Sequence, residues 1–159
     1  MLFRSEQLRR RLEFLAYQQI RDYLAGWRIL PTLVEKQLSV TLTVDDQPFT
    51  IVGRIDRIDL HPDLGYRVSD YKTGDSAKKP EEMHRQKSRT NPSQRQWIDL
   101  QLPLYRELLR SLTAVDANQP VSLGYINLCK DTEKIGFVAR SEEHTSELQS
   151  PCNLVCRLL

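Results

Sequence analysis

Apolar residues recur every three or four positions over residues 2–27, at Leu8, Leu12, Leu15, Ala16, Ile20, Tyr23, Leu24 and Trp27. That period predicts an amphipathic helix with one buried stripe, leaving Arg9, Arg10, Arg11, Arg21 and Arg28 on a solvated face. Pro31 stops any helix that reaches so far. Residues 33–44, LVEKQLSVTLTV, alternate apolar and polar side chains and are rich in β-branched types, the pattern of a half-buried strand. Asp45, Asp46 and Gln47 supply a turn, and residues 49–60 read as a second strand, so the pair should form an antiparallel hairpin. Pro62, Asp63, Leu64 and Gly65 turn the chain again into a third strand over residues 66–72, which completes a meander.

The pattern disappears between residues 73 and 93, where TGDSAKKPEEMHRQKSRTNPS holds two prolines and many charges. This stretch reads as a loop, either a solvated insertion or a flap whose Lys78, Lys79, Arg85, Lys87 and Arg89 contact phosphates. Trp97, Leu100, Leu104, Leu108 and Leu112 then predict a second helix over residues 94–112. On it Gln101 and Tyr105, four apart, share a face. Residues 121–128, VSLGYINL, return as an apolar strand, and residues 134–139 add an edge strand. The expected class is α/β, with an α-β-β-β-α-β core and helices packed on a mixed sheet.

Composition narrows this picture. A chain of 159 residues, 40% apolar and 28% charged, suits one globular domain with a sizeable core. No run approaches the roughly 18 apolar residues of a membrane span, and MLFRSEQLRRRLEF lacks the blocks of a secretory signal, so no membrane partner and a cytoplasmic location are expected. A net charge of +2 makes no case for nucleic acid by itself, so local distribution must make it. Cys129, Cys152 and Cys156 suggest neither a disulfide framework nor a complete zinc site.

Residues 140–159, RSEEHTSELQSPCNLVCRLL, have no period of their own, and their first eleven residues resemble the in-frame translation of a sequencing-library adapter. The expectation is a domain over residues 1–139 followed by a non-native tail, excluded from fold reasoning as a fusion scar would be. Without the tail the chain holds 21 basic and 18 acidic residues.

The chemistry concentrates in residues 51–74, IVGRIDRIDLHPDLGYRVSDYKTG. Strand alternation puts Asp70 and Lys72 on one face and Tyr71 on the other, and Asp56 sits on the neighbouring strand. Two carboxylates, with the Tyr71 carbonyl as a third oxygen, suit Mg²⁺ or Mn²⁺, which typically takes one or two protein carboxylates and leaves the remaining positions to water and phosphate. Lys72 beside them would orient the nucleophile and stabilise negative charge in phosphodiester hydrolysis. Glu35 is placed on the first strand, either facing the metal or as a half-buried structural glutamate. Asp59, three residues from Asp56, falls on the opposite face and reads as structural.

GRIDRID, then DYKTG, then QLPLY, in that order, resembles the RecB-type nucleases of the PD-(D/E)XK superfamily, above all the C-terminal nuclease domains of RecB and AddB proteins. The resemblance spans residues 33–128 and implies a restriction-endonuclease-like core. By it, Asp56 matches the metal-binding aspartate of the second motif, and Asp70 and Lys72 match the acidic residue and lysine of the third. Gln101 and Tyr105 match a Gln-x-x-x-Tyr motif near the active site and DNA backbone. It further implies a DNA repair and recombination role with DNA as substrate, exonuclease or endonuclease activity, and a helicase domain or subunit as partner. Many relatives carry a metal-ligating histidine upstream, whereas no histidine here precedes His61, so the expectation is that part of the domain lies before Met1. The iron–sulfur cluster of some relatives is not supported, since Cys129 alone cannot hold it. The alternatives are a catalytically incomplete DNA-binding or helicase-anchoring module of the same fold, and a general α/β scaffold with coincidental charges.

Overall fold

A computed structural model of the chain describes residues 2–87, 95–97, 100–112, 115–116 and 118–140. The chain opens with helix α1 (Leu2–Leu24), a two-residue strand β1 (Arg28–Ile29) and a 3₁₀ turn over Pro31–Leu33. The hairpin follows as β2 (Lys36–Val44) and β3 (Gln47–Ile55), paired in register from Lys36↔Ile55 to Val44↔Gln47. Asp45 and Asp46 both take positive φ, 48° and 60°, the left-handed pair that a two-residue hairpin turn demands. Strands β4 (Arg57–His61) and β5 (Gly65–Lys72) come next. A short helix α2 (Pro80–His84), strands β6 (Arg85–Lys87) and β7 (Arg95–Trp97), helix α3 (Gln101–Arg110), β8 (Val121–Asn127), a 3₁₀ turn over Thr132–Lys134 and β9 (Gly136–Ala139) complete the order.

The central sheet has the order β1-β4-β5-β8-β9, with β5 and β8 parallel and the other pairs antiparallel. A parallel pair needs a crossover, and the segment containing α3 provides it. This is the mixed α/β architecture with flanking helices that the sequence predicts. Leu102, Tyr105, Leu108 and Leu109 of α3 are buried in one core with Leu38, Leu42, Ile51 and Ile55 of the hairpin and Ile58, Val68 and Leu123 of the sheet. Each such aliphatic side chain contributes about 1.5–3 kcal/mol when fully buried. Gly53 makes the close approach workable, because a Cβ there would stand 2.6 Å from Leu108 Cδ1.

Several elements differ from the sequence expectations. The single strand predicted over residues 49–60 is broken at Asp56, where the chain leaves the two-stranded sheet of β2 and β3 and enters the central one. The predicted meander is therefore divided between two sheets. Glu35 is not on a strand: it precedes β2 with φ 52°, and its carboxylate pairs with Arg54 at 3.0 Å in exposed surroundings. The second helix starts at Gln101 rather than at 94, which makes Pro103 part of the first turn, where a missing N–H costs nothing; seven residues further from the start it would remove a hydrogen bond and clash. The stretch expected to be a plain loop contains α2 and β6, and β6 pairs with β7.

The largest difference lies in α1. Most of its predicted apolar stripe does not face the protein: Leu8, Leu12, Ile20, Tyr23 and Leu24 are all exposed, and Leu15 and Trp27 are half-buried. The side against the sheet is instead Arg11, Leu15, Gln18 and Asp22, spaced four, three and four, of which three are polar. They meet polar groups, since β4 and β5 present Arg57, Asp59 and Arg67 on that face, all buried. No helix among the described residues is long and apolar enough to cross a membrane. The expected tail, residues 141–159, and Arg89 lie outside the described residues.

Candidate active site

Strand β5 carries two kinds of chemistry because its residues alternate. Tyr66, Val68, Asp70 and Lys72 face α3, whereas Arg67, Ser69 and Tyr71 face α1. On the α3 side Asp70 is 5% exposed. Its Oδ2 lies 2.6 Å from Lys72 Nζ yet takes no hydrogen bond of acceptable geometry, and its Oδ1 accepts from Gln101 Nε2. Gln101 is the hub, because the same amide nitrogen also donates to the Tyr105 hydroxyl at 2.9 Å and its Oε1 accepts from Lys72 Nζ at 3.3 Å. The four-residue spacing on α3 that puts Gln101 and Tyr105 on one face thus brings both against the strand pair Asp70 and Lys72.

Asp56 joins from the bend between β3 and β4. Its Oδ2 accepts the backbone N–H of Tyr71 at 3.0 Å, and its own carbonyl accepts from Glu35 N–H at 3.1 Å. The N–H and C=O of one strand residue point to the same edge, so the Tyr71 carbonyl is directed toward the gap that opens at Asp56. Sequence alternation missed Tyr125, which sits beside Asp70 in the parallel register and places its ring 4.6 Å from Lys72 Nζ. Only knowledge of that register could have found it, because 53 positions separate the two residues along the chain.

The electrostatics follow from this crowding. Burial pushes the Asp70 carboxyl above its ordinary value, Lys72 and Gln101 oppose that, and the charge of Asp56 adds to it. Burial also raises the Tyr105 hydroxyl, and the negative charges of Asp56, Asp70 and Glu35 raise it further, so it stays a neutral donor at working pH. Among the described residues no three His, Cys, Asp or Glu side chains converge as a ligand cluster. The donor set is two carboxylates and a peptide oxygen. Such an all-oxygen set fits a hard divalent cation.

The remaining predicted residues are dispersed. Glu35 is held near Asp56 through the backbone, but its carboxylate is engaged by Arg54. Lys78 is tied at its backbone N–H and C=O to the side chain of Asn127, and Lys79 lies 3.9 Å from Glu82. Arg85 and Lys87 lie on β6, next to α2. Asp59, read as structural, accepts from Arg57 Nε at 2.8 Å and from Arg67 Nε at 3.0 Å beneath α1, away from Asp70.

Two comparisons bear on what this arrangement is. No curated protein matches the chain. The PD-(D/E)XK nuclease superfamily matches residues 2–158, nearly the whole chain. That superfamily comprises nucleases that generally use divalent metals, and the mixed sheet with flanking helices agrees with its restriction-endonuclease-like fold. The chain belongs to the PD-(D/E)XK nuclease superfamily.

Proposed function

We propose that the chain is a Mg²⁺- or Mn²⁺-dependent deoxyribonuclease domain of RecB/AddB type, acting in DNA repair and recombination. The observation that carries this reading is the junction at Gln101, which touches Asp70, Lys72 and Tyr105 at once while Asp56 is held on the Tyr71 amide. Asp56, Asp70 and the Tyr71 carbonyl hold the cation. When bound, the cation supplies Lewis acidity to a phosphoryl oxygen and makes water easier to deprotonate.

The protein's own groups do the rest. Lys72 keeps its ammonium 2.6 Å from Asp70 and braced by Gln101, so it meets a phosphate with its position already fixed and stabilises the charge that develops there. Tyr105, held neutral, donates to a nonbridging oxygen or to water. Gln101 keeps both groups oriented. Lys78, Lys79, Arg85, Lys87 and Arg89 contact the DNA backbone, an assignment that rests on the positive charge of their stretch. The partner is a helicase domain or subunit, which rests on the resemblance.

Cleavage of linear single- and double-stranded DNA by the purified chain, with and without Mg²⁺ or Mn²⁺, tests the reading. Activity should depend on the cation and fall sharply in Lys72→Ala, and calorimetric titration with Mn²⁺ should show a site that is lost in Asp56→Asn. Equal cleavage by the wild type and Lys72→Ala overturns the mechanism. DNA binding without cleavage or an ion site would favour the binding-module alternative. We further propose that residues 1–139 are the native part of the chain, an incomplete piece of the domain, and that residues 140–159 derive from an adapter. The superfamily match crosses that boundary, so resequencing the gene across the Arg140 codon decides it.

A further inference from the structure

The arginine run at the start of α1 is only partly a solvated face. Arg11 is folded under the helix with its side chain 14% exposed, and it donates to the Leu128 carbonyl at 3.2 Å, the Thr73 carbonyl at 3.4 Å and Asp75 Oδ1 at 3.3 Å. Thr73 directly follows Lys72, and Leu128 N–H bonds the Lys72 carbonyl at 2.8 Å, so Arg11 is anchored on the peptides that carry the candidate lysine. Around it Gln7, Arg10, Arg11, Lys130 and Thr132 line a cup of about 160 Å³.

Its charge is lopsided. Three cations and no carboxylate line it; Asp75, 71% exposed, bonds Arg11 and, at 2.7 Å, Lys130, and the charge of Arg10 acts on Glu6. The nearby Asp131 is occupied by Lys134 at 2.8 Å. The result is a polar cup at the carboxyl ends of β5 and β8 with cationic side-chain donors on its walls. The distance from the cup to Lys72 is set by a few bonds of backbone, on the order of 10 Å.

We infer that this cup seats a backbone phosphate of the nucleic acid strand close to the one at Lys72, so that the strand passes over the carboxyl end of the sheet from the α3 side to the α1 side. The inference rests on the nuclease reading of the Lys72 site for its register, but it places a contact on an element outside the motifs that suggested that reading. Arg10 and Lys130 touch the phosphate, and Arg11 positions the cup.

The test is binding of a labelled single-stranded oligonucleotide to the full chain in EDTA over a range of salt concentrations. Wild type is compared with Arg10→Gln/Lys130→Gln and with a charge-matched control, Arg21→Gln/Arg110→Gln. Both targets are exposed and their ion pairs weak, so the double variant should fold, which its melting temperature checks. Losing that one phosphate contact should reduce the slope of log K against log salt by about 0.7. Affinity at low salt should fall about tenfold with the control unchanged, and in the cleavage assay KM should rise with kcat retained. An unchanged slope, or an equal drop in the control, overturns the inference. Because this readout needs no cleavage, a wild type that binds with the expected slope but never cuts would sink the nuclease reading and leave the phosphate seat standing.

Discussion

Two buried carboxylates lie on neighbouring strands of one sheet, and their surroundings differ in kind. Asp59, fully buried, has an arginine on each oxygen: Arg57 Nε on Oδ1 and Arg67 Nε on Oδ2. Arg67 continues to Asp22 at 2.7 Å and lies over the rings of Trp27 and Phe137, and Arg57 reaches the Tyr71 hydroxyl. Every charge there has a counter-charge inside the fold. Asp70, on the other face, has one lysine, one amide and a second carboxylate nearby, and one oxygen lacks a proper hydrogen bond. A compensated carboxylate holds structure together, whereas an under-compensated one keeps free energy in reserve for a ligand carrying positive charge.

The contrast can be broken at its strongest point first. Asp59→Asn leaves two buried guanidiniums without their anion and should cost about 3–5 kcal/mol, lowering Tm by roughly 10 °C in calorimetry. A variant that melted like wild type but lost cleavage would reverse the two roles. Lys72→Ala should leave Tm near wild type and reduce the cleavage rate about 10²–10³-fold, the loss typical of removing one charge-stabilising donor. Gln101→Ala, which unties three partners without removing a charged group, should fall in between, about tenfold in kcat, with the Mn²⁺ affinity of the Asp56 site little changed.

The subtlest test is one of sign. Because burial raises the Asp70 carboxyl, the unfolded chain gives up that proton more easily than the folded one. Its contribution to stability is therefore complete below the ordinary aspartate range and is lost as pH rises through the elevated folded value. Without metal, Asp70→Asn should melt above wild type at neutral pH, with the gap closing on acidification. Added Mn²⁺ should raise the wild type alone. A variant less stable than wild type at pH 7 would show Asp70 to be as compensated as Asp59.

Much of the site was legible before any coordinates, because it obeys local periods. The two-residue alternation put Asp70 with Lys72 and set Asp59 apart from Asp56, and the four-residue repeat put Gln101 with Tyr105. What escaped were features decided by distant partners. Residues 49–60 alternate well enough for one strand, yet the chain changes sheets at Asp56 because β3 is claimed by β2 while β4 is claimed by β5. The apolar period of α1 is real, but the buried arginines of β4 and β5 select its polar side, and no property of the helix alone announces that choice. Pro103 suits a helix that starts just before it, a signal that the leucine repeat read alone does not carry.

The parallel pairing of β5 with β8 has a consequence in time rather than space. Fifteen residues separate Asp56 from Tyr71, and 31 separate Asp70 from Gln101. Closing the longer loop costs more chain entropy and must wait for the crossover to dock. The half proposed to hold the cation should therefore assemble before the half that steadies the lysine, so that the proposed ion site would form earlier in folding than the proposed means to cut. Stopped-flow refolding, with Mn²⁺ uptake monitored against recovery of cleavage, should resolve the two events in that order.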